Sequence, residues 1–413
     1  MTGRTVLANA RVLTCAAGHD ERPTPGHVLV EGDRIAAVSP TPLDVDAQVI
    51  DVAGATVLPG LCDAHTHIGW PLDFVFDHAA LAAEHPARHA LDVAAVVRTF
   101  LESGYTLIIG AGVSQPGDDV YAKDAIDRGL IPGPRIVPSG PMMTEPGAIG
   151  ADAGTMDVVA DAAAIRVAVA KQCDLGVKAI KLFISGDGIV PEFPSEDTYM
   201  NDAMLEAAVH EADAHGAFIT AHARSSESVK MAARTGVRVV HHACFLDDGA
   251  LKELEARRAD VWVCPGLHYL YQMVSGAAQP WGMTEERLVA SGYPQELVAL
   301  VDGMTRLRST GVRIIAGGDF GHQWTHHGTY AAELQRYVDL LDMTPTEALH
   351  TATRNVAPLV GLDWGAVVAG NLADLIVVDG DPTADIAVLQ DATKLRAVFK
   401  GGDLAYVNPA RLT

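Results

Sequence analysis

At 413 residues the chain is long enough for one large domain with a small accessory unit, or for two or three ordinary domains. With 49% hydrophobic and 20% charged residues it is globular rather than disordered, and a formal charge of -22 argues against a nucleic-acid binder, which needs a basic face. No apolar run reaches membrane-spanning length, the start carries no apolar leader, and five scattered cysteines read as reduced thiols, so the expectation is a cytoplasmic protein without nucleic-acid or membrane partners.

Residues 1–58 read as short strands at 5–8, 11–14, 27–31, 34–38 and 48–51. Gly32-Asp33 sits between two apolar alternations as a hairpin turn, because both residue types tolerate the backbone angles of such turns. This unit is too small to bury both faces alone and needs a partner. Residues 361–413 supply strand-like segments at 365–368, 375–378, 395–400 and 404–407, the last two joined by Gly401-Gly402-Asp403. The two ends are therefore expected to build one small β-sandwich domain around a central inserted domain.

From 59 to 360 the rhythm becomes strand, then helix. Apolar runs at 105–110, 135–138, 178–184, 217–222, 237–242, 261–264 and 312–319 alternate with helical patterns at 92–102, 157–175, 201–215, 226–235, 250–258 and 328–341. Counting the stretch 57–68, eight strands are expected, which predicts an α/β fold of the (β/α)8 TIM barrel type with its active groups at the C-terminal strand ends. A doubly wound open sheet is the alternative. Thr344-Pro345-Thr346-Glu347 predicts a helix start, with Thr344 as N-cap and Glu347 closing a capping box.

The chemistry-bearing residues fall where these strands end. His65 and His67, two residues apart, project from one strand face and form half a metal site. Lys178 and Lys181 face opposite ways, so one of them points inward; as an ammonium ion it cannot hold a metal, and pairing with a carboxylate is its plain reading. His222 ends one strand and the pair His241-His242 another, where alternation lets only one of the two join a site. Asp319 follows Gly317-Gly318, which permit close backbone approach. Alone it would cap a helix, but four imidazoles and a carboxylate at strand ends make a consistent ligand set for a divalent ion.

In this order, Pro59-Gly60-Leu61-Cys62-Asp63-Ala64-His65-Thr66-His67, Ile180-Lys181, His222, His242, Asp319 and the return segment Gly370-Asn371-Leu372-Ala373-Asp374-Leu375 with Asp381-Pro382 resemble the amidohydrolase superfamily over almost the whole chain, in particular its imidazolonepropionase-like and prolidase-like branch. The resemblance implies two divalent metal ions, zinc first among them. His65, His67 and Asp319 would hold the more buried ion and His222 and His242 the second, with Lys181 carboxylated by carbon dioxide to bridge both. It further implies attack by a bridging hydroxide, with Asp319 taking the water proton and passing it to the leaving nitrogen. The expected activity is hydrolysis of an amide C-N bond in a dipeptide or N-acyl amino acid, the alternative being a carbamate, phenylurea-like or cyclic amide substrate. A non-catalytic, metal-stabilised interaction protein would show damage at Lys181 or Asp319, and neither is damaged. Homo-oligomers are common on this scaffold.

One departure stands out. Residues 144–150 occupy the place where relatives in this branch carry a Gly-Gly-His-Gly-like loop, and no histidine occurs there. Candidates for touching substrate are Trp70, in an apolar and aromatic stretch 68–76 expected to wall or cover the site, Arg224, and His268, Tyr269 and Tyr271 after the seventh strand. His322 and Trp324 follow Asp319 in a histidine-rich loop, whose His327 looks structural. Cys62, Cys244 and Cys264 read as small buried residues.

Overall fold

The computed structural model describes residues 3–18, 22–75 and 77–409. The first two expected strands are one, Arg4–Val12: Asn9 adopts φ +54 and the register against Thr24–Glu31 shifts between Leu7 and Ala10, so a bulge stands in the gap between the two expected strands. Thr24–Glu31 and Arg34–Ser39 pair as the hairpin around Gly32-Asp33. Leu375–Val378 runs antiparallel to Thr56–Pro59, with Leu375 opposite Pro59, and Leu395–Lys400 and Asp403–Val407 extend the sheet on that side. Both ends of the chain thus join one eight-stranded mixed sheet. No strand forms at 365–368, where Val367 gives a single backbone bond to the Thr14 carbonyl.

The chain leaves this sheet through Gly60, directly into Leu61–Thr66. A side chain at Gly60 would lie 2.1 Å from the Thr106 hydroxyl, so only glycine lets this crossing pass the neighbouring strand. Leu61–Thr66, Tyr105–Gly110 and Arg135–Val137 form a three-stranded parallel sheet. Ala179–Phe183, Phe218–Ala223, Val239–His242, Trp262–Cys264 and Arg313–Ile314 run parallel in a seven-stranded one, completed by Met142–Thr144 and Met156–Val158. Backbone bonds link the two: Ala64 N to Ala316 O at 2.8 Å on one side, Ala179 N to Pro138 O at 2.9 Å on the other. The fold is α/β with parallel sheets.

Alternation along Ala179–Phe183 sorts its side chains. Ile180 and Leu182 pack under the helices with Ile165, Val169 and Leu205, each such burial worth ~1.5–3 kcal/mol, while Ala179 joins an inner cluster with Val239 and Trp262. Lys181 consequently points inward and is 1% exposed, whereas Lys178 reaches out to the His215 carbonyl. The expected helix at 157–175 starts later, at Ala162. Asp161 caps it through the amides of Ala163 and Ala164, and Met156–Val158 is drawn into pairing with Met142–Thr144. The capping box before Pro345–Thr351 forms in both halves. Among the described residues no helix is long and apolar enough to cross a membrane.

Candidate metal centre

His65 and His67 leave the first parallel strand towards its C-terminal end, and the Asp63 carboxylate orients the strand by accepting the His65 amide at 2.8 Å. His67 Nδ1 lies 3.0 Å from the Gly112 carbonyl and donates to it, which leaves Nε2, 3.2 Å from Asp319 Oδ1, to share an ion or a proton with that carboxylate. His65 Nε2 lies 3.6 Å from the same oxygen and 3.5 Å from Lys181 Nζ. That Asp319 oxygen is buried without a hydrogen bond, and so is His65 Nδ1. One donor atom from each of His65, His67 and Asp319 falls within 4.8 Å of the others, a grouping that suits a divalent cation. The convergent donors, with Asp319 Oδ1 unpaired among them, fit the metal that such a set would hold.

Backbone strain helps to aim this set. Asp319 takes φ +56 and His242 φ +70, left-handed conformations that are uncommon outside glycine and concentrate at functional sites. The approach to Asp319 is possible because Gly317 lacks a side chain: a Cβ there would stand 2.6 Å from the His65 amide nitrogen, and regular pairing of this strand stops after Ile314. At His242 the reversal overturns the simple alternation expected for His241-His242. His241 points inward from the strand, with its ring 4.2 Å from that of His65, and the left-handed turn brings His242 over the same ring at 5.0 Å. Only His242 borders the cavity, with His241 beneath it. His222 stacks on Phe183 at 3.8 Å and lies 3.1 Å by Nε2 from the Gly186 carbonyl, which leaves Nδ1 for a ligand.

Burial is the main cause of every imidazole shift here. It pushes His65 and His242 well below the usual histidine range and His222 down to about 3, so the rings are neutral with lone pairs available, as metal ligation requires. Lys181 is pushed down to about 7 by burial, against the opposing charge of Asp319. For Asp319 itself burial acts upward, but His67 beside it, with the charges of His322 and Lys181, holds the carboxyl well below its ordinary value.

A cavity of about 230 Å³ opens above these residues, and His65, His67, Lys181, His222, His242 and Asp319 all border it. Trp70, Tyr269 and His322 border it as well, and Trp324 backs His322 at 5.1 Å between ring centroids. Three other candidates lie elsewhere. Arg224 is fully buried behind the wall, His268 stacks on Phe320, and Tyr271 lies under the Arg336 guanidinium. Phe74 stacks on Trp70 in the expected aromatic cover, whose last residue, Phe76, is outside the described residues. Several lining residues were not among the candidates read from the sequence. Phe183 was within reach, since it shares a strand face with Lys181, whereas Met142, Asp187 and His78 come from loops and short segments without a periodic signal.

Residues 56–405 match the Amidohydrolase family. The chain belongs to that family. Membership makes it a hydrolase, and its relatives span several activities. An ochratoxinase of Aspergillus niger is 25% identical, the alignment covering 93% of this chain and 84% of the relative. An imidazolonepropionase of Rubrobacter xylanophilus is likewise 25% identical, over 92% and 91% of the two chains. Among solved structures, a prolidase complexed with N-methylphosphonate-L-proline superposes with a TM-score of 0.85 at 26% identity, over 98% of this chain and 100% of that one. Since amidohydrolases of one fold act on different compounds, the pocket rather than the family has to carry the substrate argument.

Proposed function

We propose that this amidohydrolase is a metal-dependent enzyme that cleaves an amide C-N bond in a small substrate. The observation that carries the reading is the convergence of His65, His67, Lys181, His222, His242 and Asp319 on one cavity, with the buried Asp319 Oδ1 lacking any hydrogen bond. His65, His67 and Asp319 would hold one divalent ion and His222 with His242 a second, zinc being the ion best suited to this donor set. Such ions supply Lewis acidity towards the substrate carbonyl and acidify water.

The chain's own residues do the rest. Lys181, with a nitrogen that is readily deprotonated near neutral pH, adds through that lone pair to carbon dioxide and releases a proton, which converts a buried cation into a carbamate anion able to lie between two cations. Asp319, kept ionised by His67, takes the proton of the attacking water and returns it to the leaving nitrogen. Tyr269 and His322 face the substrate and orient it by hydrogen bonds. In this reading the two parallel sheets are arcs of one (β/α)8 barrel over residues 59–360, and residues 1–58 and 361–413 form the accessory β-sandwich. The five unpaired cysteines support a reducing, cytoplasmic setting.

Dipeptides, N-acyl amino acids, carbamates, phenylureas and cyclic amides all present a carbonyl and a nitrogen to the same cluster. Protein of defined metal content, assayed against a mixed library of these compounds, is expected to hydrolyse at least one class. Absence of turnover with two metals bound would sink the reading.

A further inference from the structure

Beyond the ligand cluster the cavity is walled by apolar side chains, chiefly Trp70, Met142, Ile149, Met156, Phe183 and Val190. Among the described lining residues there is no arginine, and Lys181 is the one lysine, deep beside His65. The arginine that the sequence offers for a substrate carboxylate, Arg224, is 0% exposed and already committed. Its guanidinium sits between Asp187, at 3.0 Å, and Glu296, and lies 5.7 Å and 5.9 Å from the ring centres of Tyr269 and Tyr293. The two carboxylates are themselves engaged, Glu296 by the Ser195 hydroxyl at 2.6 Å and Asp187 by the Tyr293 hydroxyl. Releasing Arg224 to a ligand would strand both of them in the interior.

Two carboxylates on one guanidinium leave a surplus negative charge, and Asp187 presents its side of that cluster to the cavity. A carboxylate on the substrate, away from the metal ligands, would lose its hydration and meet hydrocarbon, the neutral polar groups of Thr155, Tyr269, His78 and His322, or the field of Asp187, with no arginine or lysine side chain to balance its charge. An apolar group in the same place gains from the wall without any such loss.

Resting on the hydrolase reading above, we infer that the pocket takes amides whose groups on both sides of the scissile bond are uncharged and apolar, and that it rejects the free carboxylates of dipeptides and N-acyl amino acids. Aryl amides, aryl carbamates and ureas have the right chemistry. The selecting residues are the apolar wall and Asp187, with Arg224 and Glu296 fixing Asp187 in place.

Acetanilide and 4-acetamidobenzoate share the same N-aryl amide bond and differ in one remote carboxylate. Both kcat/KM and the calorimetric dissociation constant are measured for the pair on the metal-loaded enzyme. Acetanilide is expected to be favoured by about tenfold or more in each. Equal treatment, or preference for the carboxylate, overturns the inference and leaves the hydrolase reading intact. If neither compound is cleaved, hydrolysis of aryl amides is lost to the reading, and the ratio of dissociation constants still decides the charge selectivity. The variant Ile149→Arg, which puts a cation on the wall, is expected to narrow or reverse the ratio; an unchanged ratio would overturn the assignment of selectivity to that wall.

Discussion

Trp70 lies flat on His67, with ring centroids 3.9 Å apart and 14° between the planes. The backbone carbonyl of Trp70 is 3.1 Å from His327 Nε2, and His327 Nδ1 is 3.1 Å from the Tyr330 hydroxyl, so the backbone that carries this ring is held by the segment after Asp319. Trp70→Ala should remove the ring that stacks on His67 and leave the Gly112 carbonyl, on Nδ1, and Asp319, on the Nε2 side, to orient it. We expect metal affinity to fall by about 10–100-fold, as when other outer contacts of metal ligands are removed. Chelator competition measures this, and affinity equal to that of the parent protein would show that the stack does not position His67.

Lys181 gives a pH-dependent prediction. Because burial brings its nitrogen down to about 7, the protonated form dominates below that pH and the nucleophilic neutral form above it. Carbamate formation from carbon-13 bicarbonate should rise between about pH 6 and pH 8 and then level off, since one unit either side of a pKa spans most of a titration. The carbamate resonance should vanish in Lys181→Ala, along with the second metal, and a small carboxylic acid should partly restore activity. A variant with parental metal content and rate would remove Lys181 from the centre.

Asp319→Asn separates proton transfer from metal binding. Asparagine keeps an oxygen donor but cannot take a proton at neutral pH, so kcat should fall by about 10²–10⁴-fold while metal content falls far less. Comparable turnover at equal metal content would take the proton-transfer role away from Asp319.

The sequence carried those parts of the centre that depend on local period or order. Inward projection of Lys181 follows from alternation along Ala179–Phe183, and Thr344 and Glu347 announce their helix start by spacing alone. What it could not carry depends on a single torsion or on distant partners. The φ of +70 at His242 undoes the alternation that separates it from His241, and nothing in the residue names foretells that angle. Arg224 lies two residues from His222 and was a natural candidate for holding substrate. Its actual partners, Asp187 and Glu296, are 37 and 72 positions further off in the chain, in a loop and a helix, and only packing reveals that they consume its charge. The bulge at Asn9 and the early end of regular pairing at Ile314 belong to the same class, since each answers to a neighbouring strand.

That buried cluster makes the last prediction. Arg224, Asp187 and Glu296 are 0%, 14% and 1% exposed by side chain, so removal of the guanidinium leaves Glu296 buried and Asp187 largely buried without their cation. Arg224→Met should destabilise the fold by about 3–5 kcal/mol, the usual cost of breaking a buried pair from one side. Glu296→Gln keeps the shape and one hydrogen bond while leaving Arg224 matched by Asp187 alone, so its loss should be smaller. The double variant should recover part of what Arg224→Met loses, because one of the stranded charges is gone. Denaturant unfolding at equal metal content gives all three values. A loss below about 1 kcal/mol for Arg224→Met, the level of an exposed pair, would mean that water reaches the cluster and that Asp187 is not held as the structure holds it.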